Sequence, residues 1–156
     1  MKALAILPEI QETLNKDEHH PMHGFAVIYS QQVEWGDMDS FGHVNNVVYY
    51  TYAQNARIHY NTQLNLFNEK TFSVMAASSC QYFKPVTYPD TLWIGVRVKK
   101  IGNASVIHEY TYYSTAMNTI VASGESVLVY LDKDTGQKKN IDVTKKAAIN
   151  AFESCN

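Results

Sequence analysis

The stretch Trp35-Gly36-Asp37-Met38-Asp39-Ser40-Phe41-Gly42-His43-Val44-Asn45-Asn46 constrains the fold most, because it joins a strand to a helix through a polar, glycine-containing turn. Before it, Phe25 to Glu34 is rich in β-branched and aromatic residues, as a strand should be. After it, Val47 to Leu64 contains neither Gly nor Pro and predicts a helix. At such a crossing the first N–H groups of the helix lack intrahelical partners and carry about half a positive charge. A carboxylate and a polarisable carbonyl can both be held there, so chemistry is expected at this point.

Beyond the helix, strands recur at short spacing: about Thr71 to Tyr82, Thr91 to Ile101, Ser105 to Ser114 and Thr119 to Leu131. Leu92, Ile94, Val96 and Val98 alternate with Trp93, Gly95, Arg97 and Lys99, the period of two that a strand with one buried face requires. Gly102-Asn103 and Met117-Asn118 read as hairpin connections, and Pro85 to Asp90 as a longer link. One long helix and about five strands predict an α+β fold with an antiparallel sheet. On the helix, Tyr49, Ala53, Ala56 and Tyr60 share a face, which Val48, Tyr52 and Leu64 widen. A helix of this length is about 27 Å long, enough to cross five strands spaced roughly 4.8 Å apart.

With 156 residues the chain fits one domain, which can bury roughly 68–70% of its unfolded surface. Residues 1–24 read as an N-terminal extension, with a short helix from Ala3 to Asn15 and a polar run through His19, His20 and His23, and weak packing is expected of them. Residues 25–156 read as the domain proper. It closes with a turn at Asp132 to Gly136 and a short helix from Thr144, its expected N-cap, to Phe152. A net charge of −2 offers no global attraction for nucleic acid, and no segment approaches the length of a membrane span. The apolar start, Ala3 to Leu7, stops at Pro8-Glu9 with no small-residue cleavage site after it. Cys80 and Cys155 form no disulfide framework, so a reducing, cytoplasmic setting is expected.

The run Val33-Glu34-Trp35-Gly36-Asp37-Met38-Asp39-Ser40-Phe41-Gly42-His43-Val44-Asn45-Asn46-Val47-Val48-Tyr49-Tyr50, followed by Ala56-Arg57, resembles the 4-hydroxybenzoyl-CoA thioesterase-like branch of the hotdog-fold acyl-CoA thioesterases. The shared pattern is a strand ending in D-x-D, then G-H-V-N-N and a long helix closing with A-R. It covers about twenty-five residues closely, and the later strands are compatible with it. The resemblance implies a central helix wrapped by a curved sheet. It also implies a homodimer or homotetramer in which sheets join edge to edge and each site uses two chains. Its substrate would be an acyl-CoA, with an acyl carrier protein thioester as the other possibility, and no cofactor is required.

By the same resemblance, Asp39 is the carboxylate that attacks the thioester carbonyl or activates water, and these two roles stay open. The amide of Asn46 would polarise the carbonyl. His43 is balanced between a turn residue bonding the backbone and a group orienting substrate or Asp39. Related acyl-carrier-protein thioesterases use an Asn where Phe41 stands, so their full triad does not transfer. Asn45, Val47 and Tyr49, at the same helix start, are the expected substrate-binding residues. Asp37 reads as structural, and Arg57 as a structural ion-pair partner, although Gln54-Asn55 replace the acidic residues the family commonly places before Ala-Arg. Lys84, Lys99 and Lys100 are weak candidates for coenzyme A phosphates, a solvated surface lysine being the simpler reading of each.

Other chemistries lose support on the same letters. A calcium loop beginning at Asp37 would need oxygen donors where Phe41 and Val48 stand. His19, His20 and His23 lack Cys or acidic ligands at a defined spacing, so no metal is expected. The chain has no G-x-S-x-G elbow, G-x-G-x-x-G loop or Walker loop. The eleven tyrosines are read as core and tunnel lining rather than as stacking platforms for nucleic acid. Two further readings remain: a hotdog carrier or sensor that binds acyl thioesters without hydrolysing them, and, more weakly, a hotdog dehydratase.

Overall fold

A computed structural model of the chain describes residues 4–66, 68 and 70–155. Among them lie helix α1 (Pro8–Lys16), strand β1 (Val27–Gln32), helix α2 (Val48–Leu64), strands β2 (Thr71–Tyr82), β3 (Thr91–Ile101), β4 (Ser105–Ser114) and β5 (Thr119–Asp132), and helix α3 (Val143–Ser154). The five strands form one antiparallel sheet in the order β1-β3-β4-β5-β2. This is the α+β arrangement predicted from the strand spacing, with α2 laid across one face.

Strand alternation decides what meets the helix. Leu92, Ile94 and Val96 of β3 and Tyr110 and Tyr112 of β4 point inward and join Tyr49, Tyr52, Ala53, Ala56 and Tyr60 of α2 in one core. Register shifts at Met75/Ala77 in β2 and Val98/Lys100 in β3 are β-bulges, which bend a sheet around its contents. At the second bulge the Val98 N–H donates to Glu153 Oε1 at 2.7 Å, and the same oxygen accepts the Tyr60 hydroxyl at 2.6 Å. Helix α3 thereby ties α2 to the sheet. Its N-cap is Asp142, whose side chain accepts from the Lys145 N–H at 2.7 Å, and not Thr144 as the sequence suggested. An aspartate two residues earlier satisfies that orphan N–H first.

The N-terminal segment corrects the expectation of weak packing. Ile10 and Leu14 of α1 are buried against Met22, Phe25, Ile28 and Tyr113 on the outer face of the sheet. His20, expected in a polar tail, is buried with its ring 4.7 Å from that of Tyr113 and 5.7 Å from that of Trp93. Phe25 lies against Gly95, where a Cβ would come within 2.6 Å of the ring, and the Arg97 guanidinium lies over the same ring, 4.1 Å from its centroid. Ala5 accepts from the Ile28 N–H at the edge of β1, and His59 Nε2 of α2 donates to the Leu4 carbonyl. The helix expected from Ala3 begins at Pro8, and Ala3 lies outside the described residues.

Arg57 is also corrected. It is buried, and among the described residues no carboxylate pairs with it; its guanidinium donates to the Tyr110 hydroxyl at 3.1 Å, which in turn meets Ser126 Oγ at 2.5 Å. His108 sits beside this group, 2% exposed, and neither ring nitrogen has a partner among the described residues. Burial, then the Arg57 charge, pushes its imidazole down to about 3.

This packing can be tested at two positions. Ile10→Ala should lower unfolding free energy by about 2–4 kcal/mol in denaturant titration, since it empties a fully buried site; a surface-like change under about 0.5 kcal/mol would show that α1 does not pack. For His108, the unfolded chain takes up a proton below pH 6.5 that the native state refuses until about pH 3. Stability from this group is therefore complete above pH 6.5 and declines as pH falls toward 3. Between those values wild type should lose up to about 1.4 kcal/mol per pH unit relative to His108→Leu, and parallel curves for the two proteins would refute this.

Candidate active site

The chain leaves β1 through one tight turn at Trp35–Asp37, and Asp37 organises the loop after it. Its Oδ2 accepts from the Glu34 N–H at 2.9 Å and from the hydroxyl of buried Tyr52 at 2.5 Å, while its carbonyl accepts from the Asn45 N–H at 2.9 Å. Burial first, and then the bond to Asp37, raises the Tyr52 phenol well above its ordinary pKa, so it stays a donor. Met38 and Val44 pair across the neck of the loop, and the Asp39 N–H donates to the His43 carbonyl. Asp37 is thus structural, as its letter pattern suggested, and it closes a small hairpin with Asp39 at the base of its tip.

Within that tip Asp39 makes an Asx turn: Oδ1 accepts from the Phe41 N–H at 2.9 Å, and its carbonyl accepts from the Gly42 N–H at 3.0 Å. Gly42 adopts φ +78°, in the left-handed region, with open space around it. One carboxylate oxygen of Asp39 is therefore engaged; the other has no hydrogen-bond partner among the described residues, and Asp39 lines the adjoining cavity. The Val44 N–H donates to the Val86 carbonyl, which fastens the returning arm to the loop after β2.

At the helix start Asn45 accepts from the Val47 N–H through Oδ1 and from the Val48 N–H through its carbonyl. The Asn46 N–H, just before these two, has no partner among the described residues. Its carbonyl, which makes no intrahelical bond, accepts the hydroxyl of Tyr82 from the end of β2 at 2.9 Å. Tyr82 meets Tyr49 edge-to-face at 5.0 Å, and burial pushes the Tyr49 phenol up to about 12.

These groups border an open cavity of about 350 Å³, lined by Asp39, His43, Val44, Asn46, Tyr49, Tyr82, Phe83, Lys84 and Pro85. Of the residues singled out in the sequence, it gathers Asp39, His43, Asn46 and Tyr49. Asn45 is turned to the helix start, and Val47 is exposed outside the lining. Lys84 reaches the cavity; Lys99 instead pairs with Glu125. The sequence did not reveal Tyr82, which lies far along the chain from Asn46, because only the curvature of the sheet brings β2 to the helix start. Among the described residues no group of three His, Cys, Asp or Glu side chains could hold a metal ion, and no helix is long and apolar enough to cross a membrane.

Residues 33–149 match the model of the thioesterase-like superfamily, a span that covers the loop, α2 and the whole sheet after β1. The chain belongs to this superfamily and is a thioester hydrolase. It is similar to YsmA of Bacillus subtilis strain 168, 29% identical over 115 residues that make up 72% of this chain and 78% of YsmA. A thioesterase from Thermus thermophilus, solved in complex with coenzyme A and zinc, is 29% identical, with a TM-score of 0.75 over 85% of this chain and 98% of its own. The PA5185 protein from Pseudomonas aeruginosa strain PAO1 is 27% identical, with a TM-score of 0.75 over 84% of this chain and 94% of its own. The architecture of this thioesterase is the hotdog fold that the motif implied.

Gly42→Ala should isolate the backbone demand of the loop. No neighbour would clash with the added methyl, so the expected loss of about 1–2 kcal/mol is conformational. Asn at the same position should recover part of it. Equal melting temperatures for all three proteins would show that the loop does not need the left-handed residue.

Proposed function

We propose that the protein hydrolyses acyl-CoA thioesters, with Asp39 as nucleophile or general base, the Asn46 N–H as donor to the developing oxyanion and His43 as an assisting group. The observation that carries this reading is that one cavity is lined by Asp39, whose second carboxylate oxygen has no partner among the described residues, and by Asn46, whose N–H has none among them either. A thioester carbonyl that accepts from that N–H presents its carbon to the carboxylate or to a water beside it. As the tetrahedral centre forms, negative charge grows on the oxygen, where the N–H and the positive end of α2 favour it. Collapse then expels the coenzyme A thiolate. If Asp39 attacks directly, water cleaves the resulting anhydride; if it acts as base, the acid forms in one step.

Tyr49 and the apolar residues around it suit an aliphatic or aromatic acyl group, and Lys84 at the rim suits an anionic end of the substrate. The coenzyme A held by the Thermus thermophilus thioesterase supports this substrate class. We further propose a homodimer joined along β2, an edge strand exposed over most of its length, including Phe72, Val74 and Met75. A reducing, cytoplasmic setting agrees with Cys80 and Cys155 being unpaired.

The test is thiol release from acyl-CoAs ranging from acetyl to palmitoyl together with benzoyl and phenylacetyl, by wild type and Asp39→Asn. Turnover on part of this panel should fall about 10²–10⁴-fold in the variant while acyl-CoA binding persists. An Asp39→Asn protein with wild-type turnover would remove Asp39 from the mechanism, and binding without turnover by the wild type would favour a carrier or sensor.

A further inference from the structure

Segment 37–46 carries both groups that the hydrolytic reading requires, and each of its ends is held by a tyrosine from outside the segment. At the first end, Tyr52 is 2% exposed in the second turn of α2 and donates to Asp37 Oδ2 at 2.5 Å. At the second end, Tyr82 on β2 donates to the Asn46 carbonyl at 2.9 Å. Neither hydroxyl is needed to fill space, since phenylalanine has nearly the same shape. Both are placed on backbone or carboxylate atoms that set the separation of Asp39 from the Asn46 N–H.

We propose that Tyr52 and Tyr82 are positioning residues for thioester cleavage, Tyr52 acting through Asp37 on the Asp39 carboxylate and Tyr82 acting through the Asn46 carbonyl on the oxyanion donor; this rests on the hydrolytic reading above. The chain of contacts is short in both cases. Asp37 receives the Asn45 N–H on its carbonyl and the Glu34 N–H on its carboxylate, so releasing its Tyr52 bond loosens the neck from which the Asp39 turn projects. Asn46 lies where the chain turns into α2. The Asn46 carbonyl and the Val47 N–H belong to one peptide plane, so Tyr82 on the carbonyl and Asn45 Oδ1 on the N–H together fix the tilt of the peptide that follows the Asn46 N–H. A displacement of about 1 Å at either point is enough to reduce an oriented reaction on the order of 10²-fold.

The experiment compares wild type, Tyr52→Phe and Tyr82→Phe in acyl-CoA hydrolysis and in binding of two inert analogues. One is the S-alkyl coenzyme A thioether, which lacks the carbonyl; the other is the ketone in which a methylene replaces sulfur, which retains it. Both variants should lose about 10–100-fold in kcat with KM within about threefold, and thioether affinity should be unchanged. Tyr82→Phe should also lower the ratio of ketone to thioether affinity about tenfold, because only the ketone meets the oxyanion donor, whereas Tyr52→Phe should leave that ratio alone. Unchanged kcat in both variants, or a loss in kcat that disappears when the assay temperature is lowered in step with a reduced melting temperature, would overturn the proposal. If Tyr52→Phe does not fold, Asp37→Asn weakens the same bond from its other partner, and unchanged kcat there overturns the Tyr52 half. If the wild type hydrolyses no thioester, the hydrolytic reading fails first, and the ketone-to-thioether ratio in Tyr82→Phe then decides the clamp alone.

Discussion

The rest of the structure depends on how closely α2 lies on the sheet. Ala56 is fully buried and Ala53 nearly so, and any larger side chain at either position would lift the helix off Leu92, Ile94 and Val96. Because α2 is a stiff rod of 17 residues, fixing its middle fixes both ends. Its start carries Asn46 and meets Tyr82; near its other end Tyr60 meets Glu153, which also holds the bulge in β3. The helix closes at Asn65, in the left-handed region at φ +51°. A shift of the rod along its axis would break the bonds at both ends together, so the site inherits its precision from core packing more than from the loop itself.

The two edges of the sheet are treated differently, and this decides where anything else can attach. At β1 the backbone of Ala5 takes the Ile28 N–H, and α1 seals the neighbouring outer face with Ile10 and Leu14. At β2 no strand lies beyond among the described residues, and side chains on both faces are exposed along most of its length. An unpaired edge is a template for another strand. Since Tyr82 ends that strand and donates to the Asn46 carbonyl, a second copy pairing along β2 would lie beside the contact at the helix start. Assembly and the candidate site would then share one structural element.

Much of this was legible in the sequence because it is local. The inner strands could be bounded from their alternation and turn residues almost to the residue, and Asp39, His43 and Asn46, neighbours in the loop motif, line one cavity. What the sequence concealed was long-range. Nothing in the letters of α1 says that Ile10 and Leu14 would find Trp93 and Tyr113 on the far face of the sheet, so the segment read as an appendage. Arg57 suggested an ion pair because charge usually finds charge, yet its partner is a phenol, Tyr110, reached across 53 residues. Asn45 and Val47 were grouped with the substrate by adjacency, yet neither lines the cavity: the Asn45 side chain accepts the Val47 N–H, and Val47 is exposed.

The tyrosines illustrate most clearly what a sequence withholds. Their number suggested apolar lining, and several rings do line the core: Tyr49 packs edge-to-face on buried Tyr112 on one side and on Tyr82, which is half-exposed at the cavity, on another. Their hydroxyls, however, do separate work. Tyr52 binds Asp37, Tyr60 binds Glu153, Tyr82 binds the Asn46 carbonyl, Tyr110 links Arg57 to Ser126, and Tyr112 binds the Tyr49 carbonyl. Each bond joins separate elements, and where the bond is buried, as at Tyr110 and Tyr112, a phenylalanine would keep the buried area while leaving a polar partner unsatisfied. An unmade bond of that kind costs about 1–3 kcal/mol when buried. Tyrosine therefore gives this fold both the volume that makes a curved sheet close over a helix and the directional ties that hold the helix in one register. The site at the start of α2 sits where two of those ties meet.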